Sequence, residues 1–424
     1  MMLKIDFETL KSQANRDSEF LLSGRYWDAR VQIVIGAEAT ELLIAAGKIV
    51  DTGAAGALGS DLRPIRISGA EQDWAKLLLH HPPAGWHNVA MSGHFAVEGG
   101  ILDTGPYNAA IRRLIDLMRE QVSGPAPASK ISNVDRLHDD AVGRYIYVEI
   151  QGVQYRIYYE ETGSGIPILL QHTAGADGRQ WRHVLEDPDY QREFRMISYD
   201  LPFHGKSVPP TSVRWWAQEY KLTKSFLMDT VVAISKALGL DRPAFMGCSI
   251  GGLLAPDLAF YHPDEFRAVI GINAALGMPG MPNGEVNEQV NSWFHPRVGN
   301  DSKASSMLGV MSPTSPEPYQ RETAWVYSQG APPVFKGDIY YYSVDHDLTA
   351  AQARQIDTGK VGVYLLTGEY DPLAISGGTK ELAACIPAAK YQVIPGAGHF
   401  GPSENPRDFK SVLGPVLKEI AARV

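Results

Sequence analysis

The sequence predicts an α/β fold: a mainly parallel sheet covered by helices, preceded by a smaller α+β domain. From about residue 144 onward, short apolar strand patterns alternate with helical patterns, which is typical of a parallel sheet buried on both faces. Before about residue 122, short alternating strands with glycine-rich joins precede two helical patterns. The small, polar, proline-containing stretch 123–140 between these regions has the composition of a linker.

The first domain, residues 1–122, begins with an amphipathic helix within about residues 1–20, where Leu3, Phe7 and Leu10 share one side. Strand patterns and helical patterns then follow. The predicted strands are 31–35, 40–44, 48–51, 64–68 and 91–99, and the predicted helices are 71–80 and 107–120. The short strands and their joins predict an antiparallel sheet.

The order of these elements, and the pairing of segment 67–74 with segment 92–99, resemble the sterol-carrier-protein-2-like fold over about residues 20–120. In that family the module binds lipid or serves as an accessory domain, and the resemblance leaves both roles open. The same region holds four histidines whose spacing matches no zinc-ligand pattern, and no cysteine accompanies them. We therefore interpret them as surface and loop residues and expect no metal: His80, His81, His87 and His94.

Composition narrows the class of protein. The chain has 424 residues, 44% of them hydrophobic and 21% charged, as in ordinary soluble domains. The net charge of −9 argues against nucleic acid or an anionic membrane as the main partner. Cys248 and Cys385 are the two cysteines, so a disulfide framework is not expected and a reducing compartment fits. With a charged N-terminus and no run of about 20 apolar residues, we expect a cytoplasmic protein.

The second domain, residues 141–424, starts with a hairpin that turns at Gly152. Six short strand patterns follow, of which 167–171 is an unbroken apolar strand, and helical patterns such as 223–238 separate most of them. The predicted strands are 144–151, 153–159, 167–171, 194–200, 243–246, 268–272, 361–366 and 391–394. In such sheets ligands bind outside the carboxyl ends of the strands, so the segments directly after each strand are the candidates for function.

One of these segments has the pattern of a nucleophile elbow. The strand at 243–246 runs into Gly-x-Ser-x-Gly, with Ser249 between Gly247 and Gly251, and a helix-competent segment follows. A serine on a tight strand-to-helix turn needs small neighbours two residues away on each side. The following helix then points its free N–H groups toward whatever the serine attacks.

Four segments in chain order make residues 141–424 similar to the α/β-hydrolase family: His172–Asp177, Asp200–Ser207, Thr367–Pro372 and Pro395–Phe400, in addition to the elbow. The resemblance implies a serine, acid, histidine order of catalytic residues. It assigns Ser249 as nucleophile, Asp371 as the acid and His399 as the general base. Glu369 is the nearest rival of Asp371, and the residues alone leave the choice between them open.

The resemblance also implies an oxyanion hole formed by the backbone N–H groups of Ala174 and Ile250. This chain departs from the family with Thr173 where glycine is usual, which adds a hydroxyl near the site. His172 and Thr173 are therefore candidate substrate contacts. Phe203 replaces a glycine in the turn that follows Asp200, and we assign Asp200 and His204 a structural role there.

The family inserts a cap between the two strands that here end at residue 272 and begin at 361, and we place the cap at about 276–350. Proline, glycine and apolar side chains are frequent there, which predicts a mobile roof over an apolar pocket. Trp325 is our candidate substrate contact from this segment. Its other large apolar residues are Met278, Met281, Trp293, Phe294, Met307, Met311, Tyr327 and Phe335.

The predicted function is hydrolysis of a carboxylic ester or a lactone through an acyl-enzyme on Ser249. The same residues suit a carbon–carbon bond hydrolase of ring-cleavage or β-diketone-type substrates. A lipid carrier with a subsidiary esterase, an acyltransferase and a cofactor-free oxygenase are further alternatives. We expect a small apolar or aromatic ester-like substrate, no cofactor, no nucleic acid and no membrane partner. The sequence leaves oligomerisation open.

Overall fold

The computed structural model describes residues 3–126, 131, 137–277, 288–373 and 375–423. Half of the predicted linker 123–140, together with Met278 and Met281 of the predicted cap, lies outside these ranges. Among the helices within them, none is long and apolar enough to cross a membrane. The described strands form two separate sheets.

The smaller sheet has five strands in the order β3-β2-β1-β4-β5. Its strands are β1 (Ala29–Ile35), β2 (Glu38–Ala45), β3 (Lys48–Ala54), β4 (Pro64–Gly69) and β5 (Phe95–Glu98). The antiparallel prediction is wrong at one pair, because β1 and β4 are parallel. After the β1-β2-β3 meander, the chain crosses back through residues 55–63 and lays β4 on the free side of β1. The predicted strand 91–99 shortens to β5.

Residues 3–126 also contain five α-helices: α1 (Phe7–Ala14), α2 (Ser18–Ser23), α3 (Glu71–Leu77), α4 (Ile101–Thr104) and α5 (Asn108–Ser123). The single helix predicted within residues 1–20 is two helices, because the Asp17 side chain caps a new helix start at the N–H of Phe20. Two fully buried tryptophans, Trp27 and Trp74, anchor the core. The structure therefore contains a small N-terminal α+β domain, while its likeness to the sterol-carrier-protein-2-like fold stays a prediction.

The larger sheet has eight strands in the order β13-β12-β11-β10-β8-β9-β7-β6. They are β6 (Val142–Ile150), β7 (Val153–Thr162), β8 (Ile166–Gln171), β9 (Phe194–Tyr199), β10 (Ala244–Cys248), β11 (Ala268–Ile272), β12 (Gly362–Gly368) and β13 (Lys390–Ile394). Strands β8 to β13 are parallel, and β7 is antiparallel to both β6 and β9. The predicted parallel α/β sheet is thus confirmed, with an antiparallel hairpin at one edge.

The remaining helices follow in chain order. They are α6 (Arg182–Leu185), α7 (Pro188–Gln191), α8 (Lys224–Ala237), α9 (Ile250–Tyr261), α10 (Glu288–Ser292), α11 (Asn300–Leu308), α12 (Glu317–Gln329), α13 (Pro332–Tyr340), α14 (Ala350–Ala353), α15 (Ile375–Cys385), α16 (Gly401–Glu404) and α17 (Pro406–Ala421). Helix α9 packs on the central strands β10 and β11, and α8 packs on the edge strand β6 and on α9. Helix α17 contributes Phe409 and Leu413 to the core against the sheet.

The chain divides into two compact units, and the insertion between β11 and β12 is shared between them. Residues 1–130 form one unit together with 288–314, which carries α10 and α11. In this unit the Asn88 amide donates to the Gly309 carbonyl at 2.6 Å. The other unit combines residues 131–287 with 315–424. Helices α12 and α13 therefore belong to the same unit as the larger sheet. The predicted cap therefore consists of two parts with different surroundings.

A buried carboxylate stabilises the smaller sheet. Glu41 on β2 is fully buried and receives two hydrogen bonds from Arg30 at 2.8 and 3.0 Å. It also accepts from the Gln32 amide at 2.9 Å and the Gly56 N–H at 3.0 Å. The bonds from Arg30, followed by those from Gly56 and Gln32, lower the pKa of Glu41 to about 2 against the opposing effect of burial.

Replacing this carboxylate should destabilise the N-terminal domain in a pH-dependent way. Because the folded pKa is depressed, its stabilisation is present above the unfolded value near 4.5 and is lost as the pH falls toward 2. Glu41→Gln should therefore cost about 1–3 kcal/mol at pH 7, with the difference from wild type shrinking below pH 4.5. Urea unfolding at several pH values measures this. Glu38→Gln, on an exposed position of the same strand, is the control. Equal losses in the two variants would contradict the prediction.

Candidate active site

Ser249 occupies a strained turn between β10 and α9. Its φ of 57° and ψ of −111° lie in a region that side-chain-bearing residues rarely adopt. Its backbone N–H donates to the Ile272 carbonyl of β11 at 3.0 Å, which fixes the turn to the neighbouring strand. The predicted elbow geometry is therefore present at the carboxyl end of a central strand.

Close packing explains the glycines around Ser249. A Cβ on Gly247 would overlap the backbone of Gly251, and one on Gly252 would overlap the Ile272 carbonyl oxygen. A Cβ on Gly251 would lie 2.7 Å from the Gln171 side chain of β8. Real Cβ atoms essentially never make such contacts, so α9 can approach the strands this closely only with glycine at these positions.

His399 and Asp371 form a buried pair at the ends of the next strands. Nδ1 of His399 lies 2.9 Å from Oδ1 of Asp371, and both side chains are almost fully buried. Since a carboxylate accepts, Nδ1 carries the proton and Nε2 is left as the acceptor. The rival acid Glu369 instead accepts the Gly396 N–H at 2.9 Å. The geometry thus brings Asp371, and not Glu369, to the histidine ring.

Asn273 and Cys248 hold the His399 backbone. The Asn273 amide donates to the His399 carbonyl at 2.8 Å, and its oxygen accepts the Gly368 N–H at 2.9 Å. The Cys248 thiol donates to the same carbonyl at 3.2 Å. Burial raises the pKa of this thiol well above its usual value, so Cys248 is a packed donor and not a reactive thiolate. The sequence reasoning missed Asn273, whose only signal is its place directly after a buried strand.

Among the hydrogen bonds of the described residues, none joins the Ser249 hydroxyl to the His399 ring. Catalytic hydrogen bonds are often long before substrate binds and tighten in the complex. Ser249, His399 and Asp371 all lie at the carboxyl edge of the sheet, after β10, β13 and β12 respectively. Within the described ranges, no group of three or more histidine, cysteine, aspartate or glutamate side chains is arranged to hold a metal ion.

The loop after β8 carries one predicted oxyanion donor. The N–H groups on both sides of Ala174 are bonded: Thr173 N–H donates to Gln180 at 2.8 Å and Gly175 N–H donates to Asp338 at 2.7 Å. Among the described residues, neither the Ala174 N–H nor the Ile250 N–H has an acceptor. Both N–H groups are thus open, one directly after Ser249 and one in the loop after β8, the strand that pairs with β10.

The structure gives different surroundings to the three predicted substrate contacts. Both nitrogens of the His172 ring interact with backbone groups. Nε2 accepts the Leu201 N–H at 3.1 Å, and Nδ1 lies 2.8 Å from the Thr173 carbonyl. Burial, with His204 as the next cause, lowers the pKa of His172 to about 4, so the ring is neutral. The Thr173 hydroxyl bonds the buried hydroxyl of Tyr327 on α12. Trp325, two residues earlier on that helix, is 63% exposed.

The turn after β9 is structural, as predicted. The two oxygens of Asp200 accept the N–H groups of Gly178 at 2.8 Å and Lys206 at 2.7 Å. Burial, reinforced by Asp177, raises the pKa of Asp200 to about 6. Phe203, the residue that replaces a family glycine, has a φ of 74° and therefore retains the glycine-like backbone at a cost of about 1–2 kcal/mol.

Comparison with known proteins agrees with the fold of the larger sheet and its helices. Residues 166–406 match the model of the alpha/beta hydrolase fold family. A solved enol-lactonase from Burkholderia xenovorans LB400 superimposes with a TM-score of 0.54 and 22% identity, covering 64% of this chain and all of that one. At this identity the likeness shows the fold alone.

Two curated relatives differ in the chemistry that their names state. Bifunctional epoxide hydrolase 2 from Rattus norvegicus is 23% identical over 62% of this chain. The match spans 53% of that protein, or about half its length. The 2-hydroxy-6-oxo-6-(2'-aminophenyl)hexa-2,4-dienoic acid hydrolase of Metapseudomonas resinovorans is 21% identical over 66% of this chain and 93% of its own length.

The tight contact at Gly252 gives a direct test of the elbow. Gly252→Ala should lower the melting temperature, because the added methyl must push α9 away from Ile272 at a cost of about 1–3 kcal/mol. Gly414→Ala is the matched control, since Gly414 is also helical and its Cβ would meet nothing within 4 Å. That control should be neutral or slightly stabilising by helix propensity. Calorimetry compares them, and an unchanged Gly252→Ala melting temperature would refute the crowding.

Proposed function

Because the chain belongs to the alpha/beta hydrolase fold family, we propose that it is a serine hydrolase that cleaves a carboxylic ester or a lactone through an acyl-enzyme. The observation that carries this proposal is the combination of a strained Ser249 at the elbow with the His399–Asp371 pair at the neighbouring strand ends. The substrate class we favour is a small apolar or aromatic ester.

The proposed chemistry follows from the proton positions. Asp371 accepts from Nδ1 of His399, which leaves Nε2 to take the proton of the Ser249 hydroxyl as its oxygen attacks the substrate carbonyl. Collapse of the tetrahedral intermediate breaks the bond to the alcohol, which receives that proton from His399. Water, deprotonated by the same ring, then attacks the acyl group and releases the acid and free Ser249.

The N–H groups of Ala174 and Ile250 are the proposed oxyanion donors. Both are backbone groups, so they cost no reorganisation when negative charge develops on the carbonyl oxygen. Each such donor contributes on the order of 3–4 kcal/mol of transition-state stabilisation. Ile250 is the first residue of α9, so its N–H has no partner within the helix. Ala174 lies in the loop whose neighbouring N–H groups donate to Gln180 and Asp338.

Epoxide hydrolysis is less compatible with this elbow, although a relative carries that name. Attack of the Ser249 hydroxyl on an epoxide carbon would form an ether, which water does not cleave under mild conditions. A covalent epoxide route needs a carboxylate nucleophile, whose ester intermediate can be hydrolysed. The elbow position holds Ser249, and the adjacent Cys248 is fully buried.

Carbon–carbon bond hydrolysis is the second candidate, and the relative from Metapseudomonas resinovorans named as a dienoic acid hydrolase supports it. The same serine, histidine and carboxylate serve such a reaction. A panel of esters, lactones and β-diketones with mass-spectrometric product readout separates the two candidates. Lipid carriage by the N-terminal domain remains a prediction, and analysis of lipids extracted from the purified full chain tests it.

Ser249→Ala should abolish ester turnover and leave the fold intact. We expect kcat for a p-nitrophenyl ester to fall by at least about a thousandfold, since loss of the nucleophile removes the acyl-enzyme route. Ser235→Ala, at a buried serine on α8, is the matched control and should keep wild-type kcat. Melting temperatures report the fold of both variants. If Ser249→Ala retains most of the wild-type rate, the proposed mechanism is wrong.

A further inference from the structure

A buried aspartate from the inserted segment binds the loop after β8. Asp338 on α13 is fully buried, and its Oδ2 accepts the Gly175 N–H at 2.7 Å. The same oxygen lies 2.7 Å from Nε2 of His204, and Oδ1 accepts the Tyr220 hydroxyl at 3.3 Å. One carboxylate thus joins α13 to the loop, to the turn after β9 and to the segment that precedes α8.

Both ring nitrogens of His204 face acceptors, which favours a ring that carries both protons. Its Nδ1 lies 2.9 Å from the Pro202 carbonyl, which can only accept, and its Nε2 faces the Asp338 carboxylate. Burial opposes a charged ring, but the charge and hydrogen bond of Asp338 outweigh it and raise the pKa of His204. Asp338 and His204 therefore form a buried ion pair. Removing one partner of such a pair is far more disruptive than removing an exposed one.

Helix α13 also contacts the loop through packing. Phe335 lies one turn before Asp338, so both side chains project from the same face of the helix. Gly175 has a φ of 65°, and a Cβ there would overlap the Phe335 ring. The Gly175 peptide is thus fixed by a charged hydrogen bond and by an aromatic ring.

Gly175 directly follows Ala174, whose N–H is the proposed oxyanion donor. We propose that Asp338 is a positioning residue that aims the Ala174 N–H by holding the next peptide in place. This inference rests on the proposed function and adds an element from the insertion to the oxyanion hole. Misplacing a catalytic group by about 1 Å can cost about a hundredfold in rate, so a fixed loop matters even without substrate contact.

The chain contains a matched control for this network. Asp257 on α9 is also fully buried and also bonds a tyrosine and a histidine. Its Oδ2 accepts the Tyr341 hydroxyl at 2.6 Å and lies 3.1 Å from Nδ1 of His346. Neither of these bonds reaches residues 172–176. Tyr341 directly follows α13, so Asp257→Asn removes a similar buried carboxylate next to the same helix but removes no bond between Asp338 and the loop.

The experiment compares Asp338→Asn with Asp257→Asn on a p-nitrophenyl ester. Asp338→Asn is isosteric but cannot pair with a charged His204, so we expect kcat to fall at least about tenfold with KM changed less than about twofold. The second readout is the inhibition constant of a trifluoromethyl ketone analogue. The Ser249 oxygen adds to its carbonyl carbon, the Ser249 hydroxyl proton passes to His399, and the former carbonyl oxygen becomes an oxyanion in the hole. Inhibition should weaken in parallel with kcat, while Asp257→Asn keeps both values within about twofold.

Unchanged kcat in Asp338→Asn, a loss confined to KM, or equal losses in both variants would overturn the proposal. Should Asp338→Asn not fold, Tyr220→Phe removes only the hydroxyl that donates to Asp338 and should lower kcat about two- to fivefold at constant KM. Full kcat in Tyr220→Phe would then overturn it. Failure of the proposed function is a separate result, because it appears as an active Ser249→Ala variant.

Discussion

The close approach of helix α9 to the central strands is the constraint on which the candidate site depends. A Cβ at Gly247, Gly251 or Gly252 would separate the helix from β10, β8 or β11 respectively. This contact forces the chain to turn sharply at Ser249 and accounts for its φ of 57°. Backbone strain at Ser249 costs of order 1–3 kcal/mol, and the packing of α9 against the strands offsets this cost. The open N–H of Ile250 is a consequence of the same turn.

The other groups of the site are held by buried polar contacts to backbone. Asn273 and Cys248 both donate to the His399 carbonyl, which fixes the loop after β13 against the ends of β11 and β10. Gln180 and Asp338 similarly fix the peptides before and after Ala174. Hydrogen bonds in such a buried environment are costly to leave unmade. The site is therefore an arrangement of loops that the sheet edge makes rigid.

Sequence periodicity and spacing predict the large sheet well, because most of its parallel strands are short, largely apolar runs. The bounds of β11 are the predicted ones. The elbow was predictable because its glycines are a local steric demand. The sequence could not separate Asp371 from Glu369, since the turn after β12 decides which carboxylate meets His399. Asp338 and Asn273 were missed because their partners lie 163 and 126 residues away. Neither residue belongs to a local sequence pattern. The parallel pairing of β1 with β4 also has no local signal, because it results from the path of the chain between β3 and β4.

The measurement that tests the central claim most directly is the mapping of a fluorophosphonate adduct by peptide mass spectrometry. The probe forms a stable phosphonyl ester with an activated serine hydroxyl and loses fluoride, so it marks the nucleophile without knowledge of the substrate. If Ser249 is activated by the His399–Asp371 pair, the adduct lies on Ser249 alone and appears as activity is lost. An adduct on another residue, or an active enzyme that remains unlabelled, would contradict the account.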